Sequence, residues 1–101
     1  MKRFIFNDNE YDLIEEYKNG FIEDDVREKF TDYFDEFDYV VGDYSYNKLG
    51  LKGFCDKGNK RYNKINDFSG KDSYIKELCA YECRYFVLKK VKKGWNYYNL
   101  W

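Results

Sequence analysis

The stretch from Asp38 to Cys55 constrains the fold more than any other part of the chain. It reads Asp-Tyr-Val-Val-Gly-Asp-Tyr-Ser-Tyr-Asn-Lys-Leu-Gly-Leu-Lys-Gly-Phe-Cys, and it contains three glycines. Two apolar runs, 39–46 and 49–55, flank Asn47-Lys48, which predicts a β-hairpin with its turn at those two residues. Side chains alternate along a strand, so Leu49 and Leu51 share one face while Lys52 and Phe54 share the other. Glycine in a strand often marks a close backbone approach, so Gly42 and Gly53 are expected to face each other across the pair.

Three further segments read as strands. Residues 4–6 alternate weakly and lead into the turn cluster Asn7-Asp8-Asn9-Glu10, and residues 11–17 read as a returning strand, which together predict a first hairpin. Residues 83–91 carry apolar side chains on both faces, and such a strand is typically central in its sheet.

Two segments read as helices. Residues 22–37 show one apolar helical face, formed by Ile22, Val26, Phe30, Tyr33, Phe34 and Phe37. Residues 71–80 form a second helix that buries Tyr74, Ile75, Leu78 and Cys79. The order β-β-α-β-β-α-β predicts a single α+β domain over residues 1–101, with a mostly antiparallel sheet, two helices packed on one face, and an aromatic C-terminal tail at 94–101.

Charge is distributed unevenly along the chain. Residues 1–44 hold 14 acidic and five basic side chains, a net charge of −9, whereas residues 45–101 carry +8. This asymmetry indicates either an interaction face or two solvated surfaces that neutralise each other. There is no apolar run near 18 residues, only three apolar residues follow the basic start, and there are three cysteines. We therefore expect a cytoplasmic protein without a membrane span or a signal peptide.

Two segments resemble the YutD-like family of small proteins from low-GC Gram-positive bacteria. One runs from Asp38 through Tyr46 and Leu49 to Phe54, and the other from Cys79 through Cys83 to Lys90. The Gly20-Phe21 pair also lies where the family has glycine and an aromatic residue. The resemblance covers roughly residues 10–90 and implies the fold and a bacterial cytosolic setting. It implies no catalytic residue.

Few residue patterns suggest catalysis or metal binding. The chain has no histidine, which removes the commonest general base, and it has no glycine-rich phosphate loop. Cys79 and Cys83 are spaced i, i+4, which is compatible with half a zinc site, a redox pair, or two small buried residues, and we favour the last. Asp43 is a candidate for a carboxylate-dependent enzyme site. We expect no metal and no cofactor.

The basic half suggests a binding function. Single-stranded nucleic acid binders combine positive grooves with stacking rings, so an RNA-associated module is the first hypothesis. Its candidate residues are Lys48, Lys52, Phe54, Lys57, Lys60, Arg61, Lys64, Arg84 and Lys90. The second hypothesis is a protein-interaction adaptor that uses the acidic half or the aromatic tail.

Overall fold

A computed structural model describes residues 2–78 and 83–91, and within them five strands form one antiparallel sheet. The strands are β1 (Arg3–Phe6), β2 (Asn9–Tyr17), β3 (Tyr39–Ser45), β4 (Lys48–Phe54) and β5 (Tyr85–Lys90). Their spatial order is β1-β2-β5-β3-β4. This confirms the predicted α+β class and the central place of the last strand.

Both hairpins close through two-residue turns with left-handed backbones. Asn7 and Asp8 have φ of 52° and 67°, and Tyr46 and Asn47 have φ of 58° and 60°. Positive φ at both central residues is the signature of the type I′ turn, whose twist matches that of the flanking strands. The second turn therefore lies one residue earlier than predicted, and Lys48 is the first residue of β4.

The predicted helix over 22–37 is two shorter elements. Helix α1 covers Glu23–Lys29, and a 3-10 helix covers Asp32–Glu36. Phe30 and Thr31 between them have extended backbones, and the Thr31 side chain accepts a hydrogen bond from the backbone N–H of Tyr33. This break lets Phe30 pack on Phe6, with ring centroids 5.3 Å apart, and leaves Tyr33 exposed.

The helices lie on opposite faces of the sheet, which differs from the prediction of one covered face. Helix α1 and the 3-10 helix contribute to a core on one side, which includes Val26, Phe34, Val40, Leu49, Phe86 and Leu88. Helix α2 (Lys71–Leu78) packs on the other side, over Tyr39, Val41, Phe54 and Val87. The physical reason is that β3 and β5 are apolar on both faces, so both faces must be covered.

The two strand glycines make room for aromatic rings. They do not face each other, because Gly42 pairs with Leu51 and Gly53 pairs with Val40. A Cβ at Gly42 would lie 2.1 Å from the Phe86 ring, and a Cβ at Gly53 would lie 2.4 Å from the Phe37 ring. Both glycines are therefore packing positions.

Several C-terminal predictions cannot be compared with the structure. Cys79, Ala80 and the tail at 94–101 lie outside the described residues, so their predicted roles stay predictions. Cys83 is half-buried, and Cys55 is a buried free thiol. Neither helix in the described part of the chain has the length and apolar character needed to cross a bilayer.

Candidate binding surface along the edge of β4

Strand β4 forms one edge of the sheet, and two depressions lie beside it. The first, here called the tip pocket, has a volume of about 370 Å³ and is lined by Asp25, Glu28, Lys29, Tyr44, Lys48 and Leu49. The second, the edge groove, has a volume of about 330 Å³ and is lined by Tyr33, Phe37, Leu51, Lys52, Arg61 and Ile65. Leu49, Leu51 and Tyr44 pack into the α1-side core, so both depressions open on that side of β4.

The edge groove exposes large apolar side chains. Tyr33 is 64 % exposed and Ile65 is 81 % exposed. The ring of Phe37 forms part of the floor, where it occupies the space above Gly53. Exposed apolar groups that line a concavity are typical of binding surfaces, whereas scattered ones are not informative.

A network of hydrogen bonds holds the loop that forms the far wall of the groove. Asp38 Oδ2 accepts hydrogen bonds from the backbone N–H of Asp56, at 2.8 Å, and from Asn59 Nδ2, at 3.1 Å. Arg61 binds Glu36 with two hydrogen bonds of 2.9 and 2.8 Å, and these hydrogen bonds lower the pKa of the Glu36 carboxyl. Such a two-point contact between a guanidinium and a carboxylate adds geometric specificity, and it joins the loop to the end of the 3-10 helix.

In the tip pocket, Tyr44 links the sheet to α1. Its hydroxyl donates a 2.6 Å hydrogen bond to Asp25 Oδ2, and the Arg84 guanidinium lies 4.3 Å from the centre of its ring. Burial, together with the hydrogen bond to Asp25, raises the pKa of Tyr44 to about 12. The Tyr44 ring is therefore a fixed part of the pocket wall.

We expect the protein to lose stability as pH rises from 10 to 12. Burial raises the pKa of Tyr74 to about 12. A hydrogen bond to Glu15, together with burial, raises the pKa of Tyr85 to about 12, the same value as for Tyr44. Unfolded phenols lose their protons near pH 10, so above that pH the unfolded state binds fewer protons and stability falls. The stabilisation that these three tyrosines contribute is fully present below pH 10.

Urea unfolding at several pH values measures how steeply the free energy of unfolding falls with pH, which is the slope of stability against pH. Replacing Tyr44 with phenylalanine should reduce the slope by at most about 1.4 kcal/mol per pH unit, the share of one proton. Tyr46→Phe is the matched control, since it removes the same hydroxyl from a side chain that is 99 % exposed. A slope that Tyr44→Phe does not alter would contradict the assignment.

The structure separates the nine residues predicted for nucleic-acid binding. Two of them, Lys48 and Arg84, lie near the hairpin tip. Five others lie near the other end of β4, about 20 Å away along the strand, namely Lys57, Lys60, Arg61, Lys64 and Lys90. Phe54 is 1 % exposed, because α2 covers its face of the sheet. Lys52 lies over the rings of Phe54 and Tyr74, and Lys90 donates a hydrogen bond to the carbonyl of Asp35.

Asp43 lies in a buried setting rather than in an open site. It is 5 % exposed, and its Oδ2 accepts hydrogen bonds from the Ser45 hydroxyl, at 2.6 Å, and from the Ser45 backbone N–H, at 3.2 Å. These contacts fix the end of β3. In the described part of the chain, no group of three Cys, Asp or Glu side chains is close enough to hold a metal ion.

Two residues of the surface escaped the sequence analysis. Tyr33 fits the apolar helical face of 22–37, and only the break at Phe30 turns it outward. Ile65 stands alone in the polar loop Asn63-Lys64-Ile65-Asn66, and an isolated apolar residue in such a loop is the signal that could have identified it.

The geometry defines a small α+β domain with an exposed apolar surface beside an edge strand. A family model described as "Putative antitoxin YutD-like" matches residues 5–89. The chain is 37 % identical over 89 residues to "Putative antitoxin YutD" of Bacillus subtilis strain 168. The aligned region covers 88 % of this chain and 98 % of the relative. The solution NMR structure of protein yutD from B. subtilis matches with a TM-score of 0.78 and 35 % identity, over 92 % of this chain and 84 % of that chain.

The chain therefore belongs to the YutD-like family, and the resemblance seen in its sequence is confirmed. The agreement with the NMR structure also confirms the α+β fold.

Proposed function

We propose that this protein is a non-catalytic binding protein that neutralises a toxic protein by direct contact. The relative that it matches over almost its full length is named a putative antitoxin. The observation that carries the proposal is the apolar surface beside β4, where Tyr33 and Ile65 are exposed and line the edge groove. Tyrosine is enriched in protein interfaces because its ring buries a large area and its hydroxyl still finds a hydrogen-bond partner.

The distribution of basic groups favours a protein partner over RNA. Of the nine candidate residues, Arg61 is bound to Glu36, Arg84 lies over Tyr44, and Phe54 is buried. A continuous positive groove with exposed stacking rings is what single-stranded RNA needs. RNA binding is the second candidate function, and the exposed lysines of one loop, Lys57, Lys60 and Lys64, support it.

The test of the proposed function is capture followed by growth rescue. The tagged chain is used to capture proteins from a B. subtilis lysate treated with ribonuclease at high salt. Each captured protein is then produced from an inducible promoter in a bacterial host, with and without this chain. We expect one captured protein to arrest growth and co-production of this chain to restore it.

Paired variants locate the contact. Ile65→Ser should weaken binding to the captured protein by about tenfold or more, the effect of removing an interface hot spot. Ile5→Ser is the matched control, because Ile5 is 56 % exposed but lies on β1 at the opposite edge of the sheet. Retention of RNA that falls with rising salt, without a growth-arresting protein, would overturn the proposal in favour of the second candidate.

A further inference from the structure

The backbone of β4 has a side that faces away from β3. The Cys55 N–H donates a 2.8 Å hydrogen bond to the Asn66 carbonyl, and the Cys55 carbonyl accepts a 3.1 Å hydrogen bond from the N–H of Phe68. These partners lie outside the sheet, so the backbone groups of Cys55 point outward. Successive residues of a strand direct their backbone groups to opposite edges. The N–H and carbonyl groups of Leu49, Leu51 and Gly53 therefore point outward as well.

Within the described residues, the outer side of β4 is unpaired at Leu49 and Leu51, whereas Gly53 is buried beneath the Phe37 ring. In the described part of the chain, no hydrogen bond joins the backbone of Leu49, Leu51 or Gly53 to a residue beyond β3. The opposite edge differs, because β1 is only four residues long and Arg27 donates a 2.9 Å hydrogen bond to the carbonyl of Ile5. An unpaired row of backbone donors and acceptors is a template for another strand, and proteins usually cover it.

Side chains along this edge carry a defined pattern of charge and shape. Lys48 and Lys52 leave the strand toward the α2 side, because they alternate with Leu49 and Leu51, and both also reach the rims of the two depressions. Among the described residues, neither lysine forms an ion pair. Leu49 and Leu51 project on the α1 side, between the tip pocket and the edge groove. The edge therefore carries two lysines. On the α1 side it borders the tip pocket, which Asp25, Glu28 and Lys29 line together with Leu49, and the edge groove, whose walls include Phe37, Leu51 and Ile65.

We propose that the β4 edge binds an extended acidic segment of the protein partner as a sixth strand of the sheet. This inference rests on the proposed function and names the chemistry of the partner. In such strand addition, main-chain hydrogen bonds give affinity and alternate side chains give specificity. The segment places carboxylates opposite Lys48 and Lys52, and its alternate residues place apolar side chains beside Leu49 and into the edge groove. Lys48 and Lys52, the two charged side chains of β4, favour an acidic segment over a basic one.

Synthetic peptides and amide hydrogen exchange test this inference. The probe is the heptapeptide Glu-Leu-Glu-Leu-Glu-Leu-Glu, and the two comparison peptides replace Glu with Lys or carry N-methylated leucines. With the acidic peptide at about ten times its Kd, mass action predicts that exchange of the Leu49 and Leu51 amides slows about tenfold. The Gly50 and Lys52 amides pair with β3 and are therefore protected already without peptide. N-methylation removes the peptide donors and should abolish the protection.

A charge swap supplies the decisive comparison. The variant Lys48→Glu/Lys52→Glu should shift the preference between the acidic and basic peptides by about tenfold toward the basic one. Lys60→Glu/Lys64→Glu makes the same charge change in the loop and should leave the preference unaltered. Three results would overturn the inference: slower amide exchange at Ile5 instead of Leu51, no slowing of exchange at either residue, or an unchanged preference between the acidic and basic peptides. Growth rescue that persists without peptide binding would overturn only the strand addition, whereas peptide binding without rescue would overturn only the toxin-neutralising function.

Discussion

Replacing Gly20 with alanine is expected to lower the free energy of unfolding by about 3 kcal/mol, the upper part of the range for overpacking. Gly20 is buried where the chain leaves β2 and crosses the start of β5. An added Cβ would lie 2.5 Å from the carbonyl oxygen of Tyr85 and 2.6 Å from its backbone nitrogen. Backbone atoms cannot rotate away, so a strand must shift. The loss is large against a total stability of about 5–15 kcal/mol.

Urea unfolding of a matched pair checks this expectation. Gly58→Ala is the control, because no heavy atom lies within 4 Å of its added Cβ and its φ is not positive. That variant should be unchanged or up to about 1 kcal/mol more stable, since alanine restricts the unfolded chain. Equal effects of the two substitutions would show that the close approach of Gly20 to Tyr85 is wrong.

Replacing Phe86 with alanine should cost about 3–5 kcal/mol, the largest effect we expect from a side-chain truncation. Phe86 is fully buried in the central strand, its ring lies over Gly42, and Phe21 meets it edge to face with ring centroids 5.2 Å apart. The substitution removes these contacts and leaves a cavity that the rigid sheet cannot close. Circular dichroism during urea unfolding measures the loss.

Two further variants make this prediction specific. Phe86→Leu keeps the chain folded and should reduce the cost of a second substitution, Gly42→Ala, because the smaller side chain frees the space that the new Cβ needs. Tyr33→Ala removes an aromatic ring that is 64 % exposed, and it should change stability by no more than about 0.5 kcal/mol. Additive costs of Gly42→Ala and Phe86→Leu would argue against the contact between the two residues.

The strands were predictable because their signals are local. Alternation and turn residues place the segments around Phe4–Phe6, Tyr11–Tyr17 and the second hairpin within two or three residues of their observed bounds. The apolar character of both faces of residues 85–88 correctly predicts a central strand. The turn at Tyr46-Asn47 was missed by one residue, because a bulky residue rarely adopts positive φ and Tyr46 does so here.

The binding surface was less predictable because it depends on contacts between distant segments. From the sequence alone, Phe54 and Lys52 form an outward face of the hairpin, but in the structure α2 covers that face. The helical pattern of 22–37 continues through Phe30, and only packing against Phe6 and Tyr11 explains the break. The edge groove joins the 3-10 helix, β4 and a loop, and sequence periodicity carries no information about which of these segments meet.

The sequence by itself determined the α+β class, the strands, the family and the lack of a histidine-based site, because each depends on neighbouring residues or on composition. Only the tertiary structure decided that the Asp38–Cys55 hairpin provides an open sheet edge, since that depends on which strand pairs with β3 on its far side. It also decided which basic groups are engaged within the fold, as Arg61 is with Glu36. Charge and apolarity are properties of residues, whereas exposure and proximity are properties of the packed chain.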